Sequence, residues 1–230
     1  MLKSANLILL VNEMATQFST IINKDDFQLE TPPWPMTALI LCGGKSTRMG
    51  RPKAFLPYRG TLMITHMIEL VRQLFSEVLL VTNEPELFDG LEMDTVKDII
   101  PHRGPLGGIL SGLLIASHHH SFVIACDMPF IDRKLISEMV KKGHNSDMLV
   151  LMHDKGIEPL IGIYSKSCLR ALEESLFAGQ TSLSDFALGL NAKVFFCSDL
   201  SSDRDKNVLP PYFDIDTPQD YTTAIMRNYQ

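Results

Sequence analysis

The sequence predicts a doubly wound α/β fold, with a mostly parallel sheet between two layers of helices. Three observations carry that expectation. Apolar runs at 38–42, 78–81 and 122–126 lack alternation, as strands buried on both faces do. Between them lie stretches whose apolar residues recur at helical spacing, and strand–helix alternation of this kind builds a parallel sheet. Finally, the glycines, aspartates and cations with chemical potential cluster where the apolar runs end, which is where open α/β sheets bind ligands.

The totals fit that frame. At 230 residues with 45% hydrophobic content, the chain is about one large domain with enough apolar surface for a sizeable core. A formal net charge of −6 argues against nucleic acid as partner, which asks for a basic face. No stretch approaches the ~18 consecutive apolar residues of a membrane span, so no membrane partner is expected. Cys42, Cys126, Cys168 and Cys197 are far apart with no C-x-x-C pair, which disfavours zinc and a disulfide framework and points to a reducing cytoplasm.

In chain order, residues 1–36 read as an N-terminal extension. Leu7 to Val11 suggests a loose amphipathic helix, too weak for a signal peptide. Three prolines within 31–35 read as a linker that excludes helix and sheet, and Met36 is a candidate alternative start. Residues 37–230 read as a single domain, in two parts over 37–130 and 131–230. The run at 38–42 is the first strand. Ile64, Met67, Ile68, Val71, Leu74 and Phe75 share a helical face, and 78–81 follows as a strand. A buried helix is expected over 107–117, a strand over 122–126 and a helix around Leu135, Ile136, Met139 and Val140. Strands near 148–152 and 160–164 and a helix over 168–177 come next. The last helix starts with Thr217 as N-cap, Pro218 in the first turn and Asp220 placing a carboxylate there. His118 to His120 read as a solvated turn rather than a metal site.

The stretch with the most chemistry is TALILCGGKSTRMGRPKAFLPYR at 37–59. A buried strand stops at Gly43-Gly44 and empties into a loop holding Lys45, Arg48, Arg51 and Lys53. Paired glycines let the backbone approach a ligand and turn its amides toward an anion. Counting Arg59, five of the 21 Lys and Arg fall within fifteen residues of an acidic chain, which points to a small polyanion. Neither the P-loop spacing nor the G-x-G-x-x-G fingerprint is present.

LCGGKSTRMGRPK resembles the signature L-[AG]-G-G-x-x-x-R-M-G-x-x-K of the nucleotidyltransferases, and within them the molybdenum cofactor guanylyltransferase family. The likeness extends over roughly 37–225 and implies a Rossmann-like nucleotidyltransferase fold. It implies that Leu41, Cys42, Gly43 and Gly44 line the nucleotide, and that Lys53 neutralises the triphosphate, with Arg48 sharing that work or pairing internally. Cys42 replaces the usual alanine. It and Cys126 each end an expected strand, so adjacency of those strands would make the thiols neighbours. Two buried apolar cysteines are the default, and a redox-sensitive pair is the alternative.

Three further segments fall at strand ends. Asp98 precedes H-R-G-P-L-G-G at 102–108, similar to the family's G-P-L-x-G loop, which implies that Asp98 and Gly107 hold the guanine nucleotide. By structure alone Asp98 is an ordinary loop carboxylate. In A-C-D-M-P at 125–129, Asp127 ends an apolar strand, where a charge is costly unless paired or coordinating. The resemblance makes it the Mg²⁺ ligand, while Asp132 is the better cap for the next helix. In F-D-I-D-T-P-Q-D at 213–220, Asp214 and Asp216 alternate onto one side. They stand where the family often has asparagines, leaving Asp216 a second metal ligand or an acceptor contact, and Asp214 on the acceptor side. Glu158, Pro159 and Leu160 resemble the family's acceptor motif, where Glu158 contacts a pterin or is a plain loop carboxylate.

The resemblance therefore implies transfer of GMP from GTP to the phosphate of molybdenum-loaded molybdopterin, with release of pyrophosphate, and molybdoenzymes or their chaperones as recipients. The alternatives are a related enzyme using CTP or a sugar phosphate, and a non-catalytic nucleotide-binding accessory protein.

Overall fold

A computed structural model describes residues 31–43, 49–199 and 209–228. The expected helix near Leu7, and Gly44, Lys45 and Arg48, lie outside them. A seven-stranded sheet forms the centre, in the order β5-β4-β1-β6-β8-β7-β9, and two large apolar clusters fill its two faces. Its strands are β1 Trp34–Leu41, β4 Phe75–Val81, β5 Thr95–Val96, β6 His120–Ala125, β7 Met148–His153, β8 Gly156–Ser165 and β9 Lys193–Phe196. A small hairpin, β2 Pro57–Tyr58 with β3 Thr61–Leu62, stands apart.

The helices are α1 Met63–Arg72, α2 Gly104–Ile115, α3 Arg133–Gly143, α4 Leu169–Phe177, α5 Leu183–Gly189 and α6 Pro218–Asn228. Their starts follow local chemistry. Asp132 accepts the Leu135 amide at 2.8 Å, so it is the cap of α3 as its position suggests. At α6, Thr217 Oγ1 accepts the Asp220 amide at 3.2 Å while Asp220 accepts the Thr217 amide at 2.8 Å, a reciprocal box that satisfies the first-turn donors.

Two expectations are corrected. Leu74 and Phe75 do not extend the first helix. α1 ends at Arg72, and Phe75 opens β4 with its ring stacked 5.4 Å from that of Phe122. The stretch 31–35 is not wholly a linker either, because β1 begins at Trp34. Pro35 is tolerated at the start of the strand, where the register against β4 shifts between Trp34 and Thr37 and no ladder donor is needed from it. The Trp34 amide donates to the Leu74 carbonyl at 2.8 Å, and its ring is 2% exposed, edge-on to Phe75 at 5.7 Å.

Trp34→Ala should therefore cost about 3–5 kcal/mol of unfolding free energy, the usual range for a buried tryptophan, read from the midpoint of denaturant unfolding. A chain starting at Met36 should show at least that loss.

The sheet is mostly parallel, but β8 is antiparallel to both β6 and β7. Only Asp154 and Lys155 separate β7 from β8. Two residues suffice for a hairpin and are far too few for a crossover. Where β8 passes β7, Val150 pairs with Gly162 while Leu151 pairs with Glu158. Pro159, Leu160 and Ile161 thus bulge out of the ladder, and Pro159 has no donor to give it. Its carbonyl instead accepts the buried Tyr164 hydroxyl at 2.7 Å.

His118 to His120 lie at the opposite edge of the sheet from the strand-end motifs. His118 leans on Glu77, Nδ1 to Oε2 3.6 Å, and His120 opens β6 half-buried. No group of three or more His, Cys, Asp or Glu side chains among the described residues is arranged to hold a metal. No described helix is long and apolar enough to cross a membrane.

Candidate active site

β1 and β6 are parallel neighbours, with Leu41 opposite Ala125. Their carboxyl ends therefore emerge side by side and deliver Gly43 and Asp127 to one edge. Lys53 arrives from a short 3-10 turn, Lys53–Phe55, that packs against α1. Asp216 arrives from the segment before α6, tied down where the Ile215 amide donates to the Asp127 carbonyl at 3.0 Å. Four distant stretches thus meet at one point.

That point is an ion cluster. The Lys53 ammonium donates to Asp127 Oδ2 at 2.8 Å and also to Asp216 Oδ1. The Lys53 side chain is 16% exposed and that of Asp127 20%, so the pair is partly desolvated and its charge interaction exceeds the surface value. Burial alone would lower the Lys53 pKa, but Asp127 first and Asp216 second outweigh it and hold the ammonium above its ordinary value. Asp214 is pushed up by burial, then by Asp216 and Asp127. Several carboxylates thus share one described lysine at the cluster.

Glu158 lies on the same edge, at the start of the β8 bulge, where its Oε1 accepts the Leu160 amide at 3.0 Å. Burial, with smaller contributions from Asp214 and Asp127, pushes its carboxyl up to about 7. The folded chain therefore holds a proton that the unfolded chain has already lost between the ordinary value of 4.5 and about 7. Stability from this group is full below that window and declines as pH rises through it. Glu158→Gln should flatten the decline by at most ~3 kcal/mol, measured as the difference in unfolding free energy between wild type and variant from pH 4.5 to 7.5.

Asp98 is brought to the N-terminal turns of α2. Its Oδ2 accepts the Asn83 side-chain amide at 2.7 Å, and burial raises its pKa despite that bond. Gly107 and Gly108 are inside α2, which begins at Gly104 rather than at 107. A Cβ at Gly107 would come within 3.0 Å of Arg103 Cβ and 3.2 Å of the Ile100 carbonyl, and one at Gly108 within 3.5 Å of Asp98 Oδ1. The glycines let the helix press against the Asp98 loop. Ser111 locks the same loop, accepting the Ile99 amide at 2.9 Å and donating to the Gly107 carbonyl at 2.8 Å.

Cys42 and Cys126 follow the Leu41–Ala125 pair and are neighbours, as adjacency of their strands requires. Both are free thiols, and burial first, then the hydrogen bond to Cys126, raises the Cys42 pKa well above its ordinary value. A thiol held that high is a poor nucleophile, and Cys126 is buried while Cys42 is half-buried, which favours the apolar reading.

Of the residues named from sequence, Leu41, Cys42, Gly43, Lys53, Asp127, Glu158, Pro159, Leu160, Asp214 and Asp216 share this edge. Asp98 and Gly107 flank it beyond β4. Gly44 and Arg48 lie outside the described residues. The sequence reading missed Asn83, whose place after β4 was a usable signal. It also missed His153 and Tyr212, whose rings stack at 4.0 Å with 9° between planes and which no local pattern links.

A protein-family model described as the MobA-like NTP transferase domain matches residues 38–191. A probable molybdenum cofactor guanylyltransferase of Pelotomaculum thermopropionicum is 35% identical over 188 residues, covering 82% of this chain and 91% of its own. Its namesake in Carboxydothermus hydrogenoformans is 33% identical over 186 residues, covering 81% and 93%. Among solved structures, molybdopterin-guanine dinucleotide biosynthesis protein A of Archaeoglobus fulgidus superposes with a TM-score of 0.71 at 24% identity, over 85% of this chain and 100% of that one; at that identity it speaks for the fold. The family model spans well over half of the chain, and relatives above 30% identity match it over most of their own length, so the chain belongs to the MobA-like NTP transferase family.

Proposed function

We propose that the protein transfers GMP from GTP to the terminal phosphate of molybdopterin, releasing pyrophosphate, in a reducing cytoplasm. The observation that carries this reading is the Lys53 ammonium held between Asp127 and Asp216 at the carboxyl ends of the strands. The guanylyltransferase names of relatives at 33–35% identity support the choice of nucleotide and acceptor.

An acceptor phosphate oxygen attacks the α-phosphorus in line, the new P–O bond forms as the bond to the β-phosphate oxygen breaks, and pyrophosphate leaves with the electron pair. No covalent enzyme intermediate is needed, so the protein positions the reactants and offsets charge. Lys53 supplies a movable point charge for the triphosphate, and the open space beside Gly43 admits the phosphates close to the backbone. Asp98 offers a carboxylate to the guanine N1 and amino group, and Glu158, bearing a proton near neutral pH, offers the acceptor ring a donor.

The carboxylate oxygens of Asp127 and Asp216 fit a hard divalent cation, proposed to be Mg²⁺. Mg²⁺ takes one or two carboxylates and fills its shell with phosphate oxygens and water. When bound, such an ion would offset charge on the α-phosphate and the leaving group. A structural neighbour from Mycobacterium tuberculosis, Rv0371c, was solved in complex with manganese, with a TM-score of 0.57.

The test is thermal stability against GTP, CTP, ATP and UTP, each with and without Mg²⁺, followed by pyrophosphate release with molybdopterin. A ligand at ~100 times its dissociation constant adds about 2.7 kcal/mol. Stabilisation by GTP alone, strengthened by Mg²⁺, with pyrophosphate released only when molybdopterin is added, is the expected result. Stabilisation by CTP instead would reassign the base, and GTP binding without turnover would make the protein an accessory carrier.

A further inference from the structure

Behind the ion cluster is a second aromatic and polar contact that the proposed chemistry does not use. His153, the last residue of β7, stacks flat on Tyr212, and the Tyr212 hydroxyl donates to Asp154 Oδ1 at 2.9 Å. The His153 side chain is 9% exposed, and its Nδ1 accepts the Lys155 amide at 3.1 Å while lying 3.4 Å from Asp154. The whole tip of the β7–β8 hairpin is therefore organised around the tyrosine ring. Tyr212 precedes Asp214 by two residues and Asp216 by four, and Glu158 lies three residues beyond Lys155.

We propose that the His153–Tyr212 stack is a positioning element of the acceptor half, fastening the segment that carries Asp214 and Asp216 to the hairpin that carries Glu158. The inference rests on the reading above that this half receives the acceptor. Two sides of the segment are fixed by different means. Ile215 is fully buried in a small apolar cluster with Leu56, Tyr58 and Phe130, and the Phe213 ring meets that of Phe130 edge-on at 5.8 Å. Those contacts set its depth. The Ile215 amide on the Asp127 carbonyl and the Asp216–Lys53 ion pair hold it to the end of β6, and on the side of the hairpin the His153–Tyr212 stack is the aromatic contact that bridges to it. The span of that bridge decides how far Asp214 and Asp216 stand from Glu158, and so the width left for an acceptor between them.

The stack is a positioning device and touches no reacting atom, so its loss should appear in acceptor binding before nucleotide binding. The experiment uses the full chain with His153→Ala, Tyr212→Ala, His153→Phe and Tyr212→Phe. Two readouts are taken: amide hydrogen exchange of Ile215, whose N–H donates to the Asp127 carbonyl, and KM for molybdopterin beside the dissociation constant for GTP. Both alanine variants should speed Ile215 exchange about tenfold, the release expected from losing one good aromatic pair, without speeding β6. They should raise KM for molybdopterin about tenfold with GTP affinity held within about twofold. The phenylalanine variants keep a ring in place and should recover most of both losses.

Unchanged Ile215 exchange in the alanine variants overturns the inference whatever the activity. So does acceleration spread equally through β1 and β6, or a loss as large in the phenylalanine variants. Wild-type protein that turns over no molybdopterin would sink the functional reading instead, and the exchange measurement would still decide the fastening.

Discussion

Asp127→Asn should leave a folded protein that transfers nucleotide at least ~10³-fold more slowly, the scale of loss when one charge-stabilising group is removed from a preorganised site. The asparagine keeps the shape of the side chain, and the Asp127 carbonyl still accepts the Ile215 amide, so the loop keeps its anchor. What disappears is a negative oxygen 2.8 Å from the Lys53 ammonium. Steady-state pyrophosphate release gives the rate, and the melting shift with GTP gives the second half of the result. GTP should still stabilise the variant, but added Mg²⁺ should no longer increase the shift. Transfer at near wild-type rate would remove Asp127 from the site.

Lys53→Ala should fail differently. The triphosphate loses its point charge, so GTP affinity should fall about 10- to 100-fold while guanosine binding changes little, measured by calorimetry with both ligands. Lys53→Arg should restore only part of the loss, because one compact ammonium reaches both Asp127 and Asp216 and a planar fork does not fit the same point. The variant should also be less stable at neutral pH. The Lys53 pKa is raised in the folded chain, so its contribution is complete below its ordinary value of 10.5 and fades only as pH climbs through the folded value. The stability gap between wild type and Lys53→Ala should stay constant to about pH 10 and narrow above it.

Much of this arrangement was legible in the residues. β1 ends at Leu41, two residues before Gly43, and a residue without a side chain is what lets a backbone come close to an anion. Asp127 follows a fully apolar strand, so its carboxylate needed a partner, and Lys53 is that partner. Strand direction was not legible. Periodicity shows that 148–152 and 160–164 are strands, yet it is blind to polarity, and only the two residues between β7 and β8 held the answer. The start of β1 was misread because prolines exclude a strand interior and not its first residues. α5 went unseen, although Ser182, whose hydroxyl accepts the Asp185 amide at 3.1 Å, marks its start as clearly as Thr217 marks α6. The pairing of His153 with Tyr212 has no local signature, because their partnership exists only once the sheet has folded.

The antiparallel strand has a mechanical consequence. β8 hydrogen-bonds to β6 on one side and β7 on the other, so the strand that carries Glu158 is welded directly to the strand that leads into Asp127. Enzymes that close two lobes around a ligand need a hinge, a few residues free to swing one body against another. A continuous ladder from β5 to β9 leaves none between these strands. Under the proposed function, any closing around the substrates is then local rather than a movement of lobes, and Glu158 keeps its distance from Asp127.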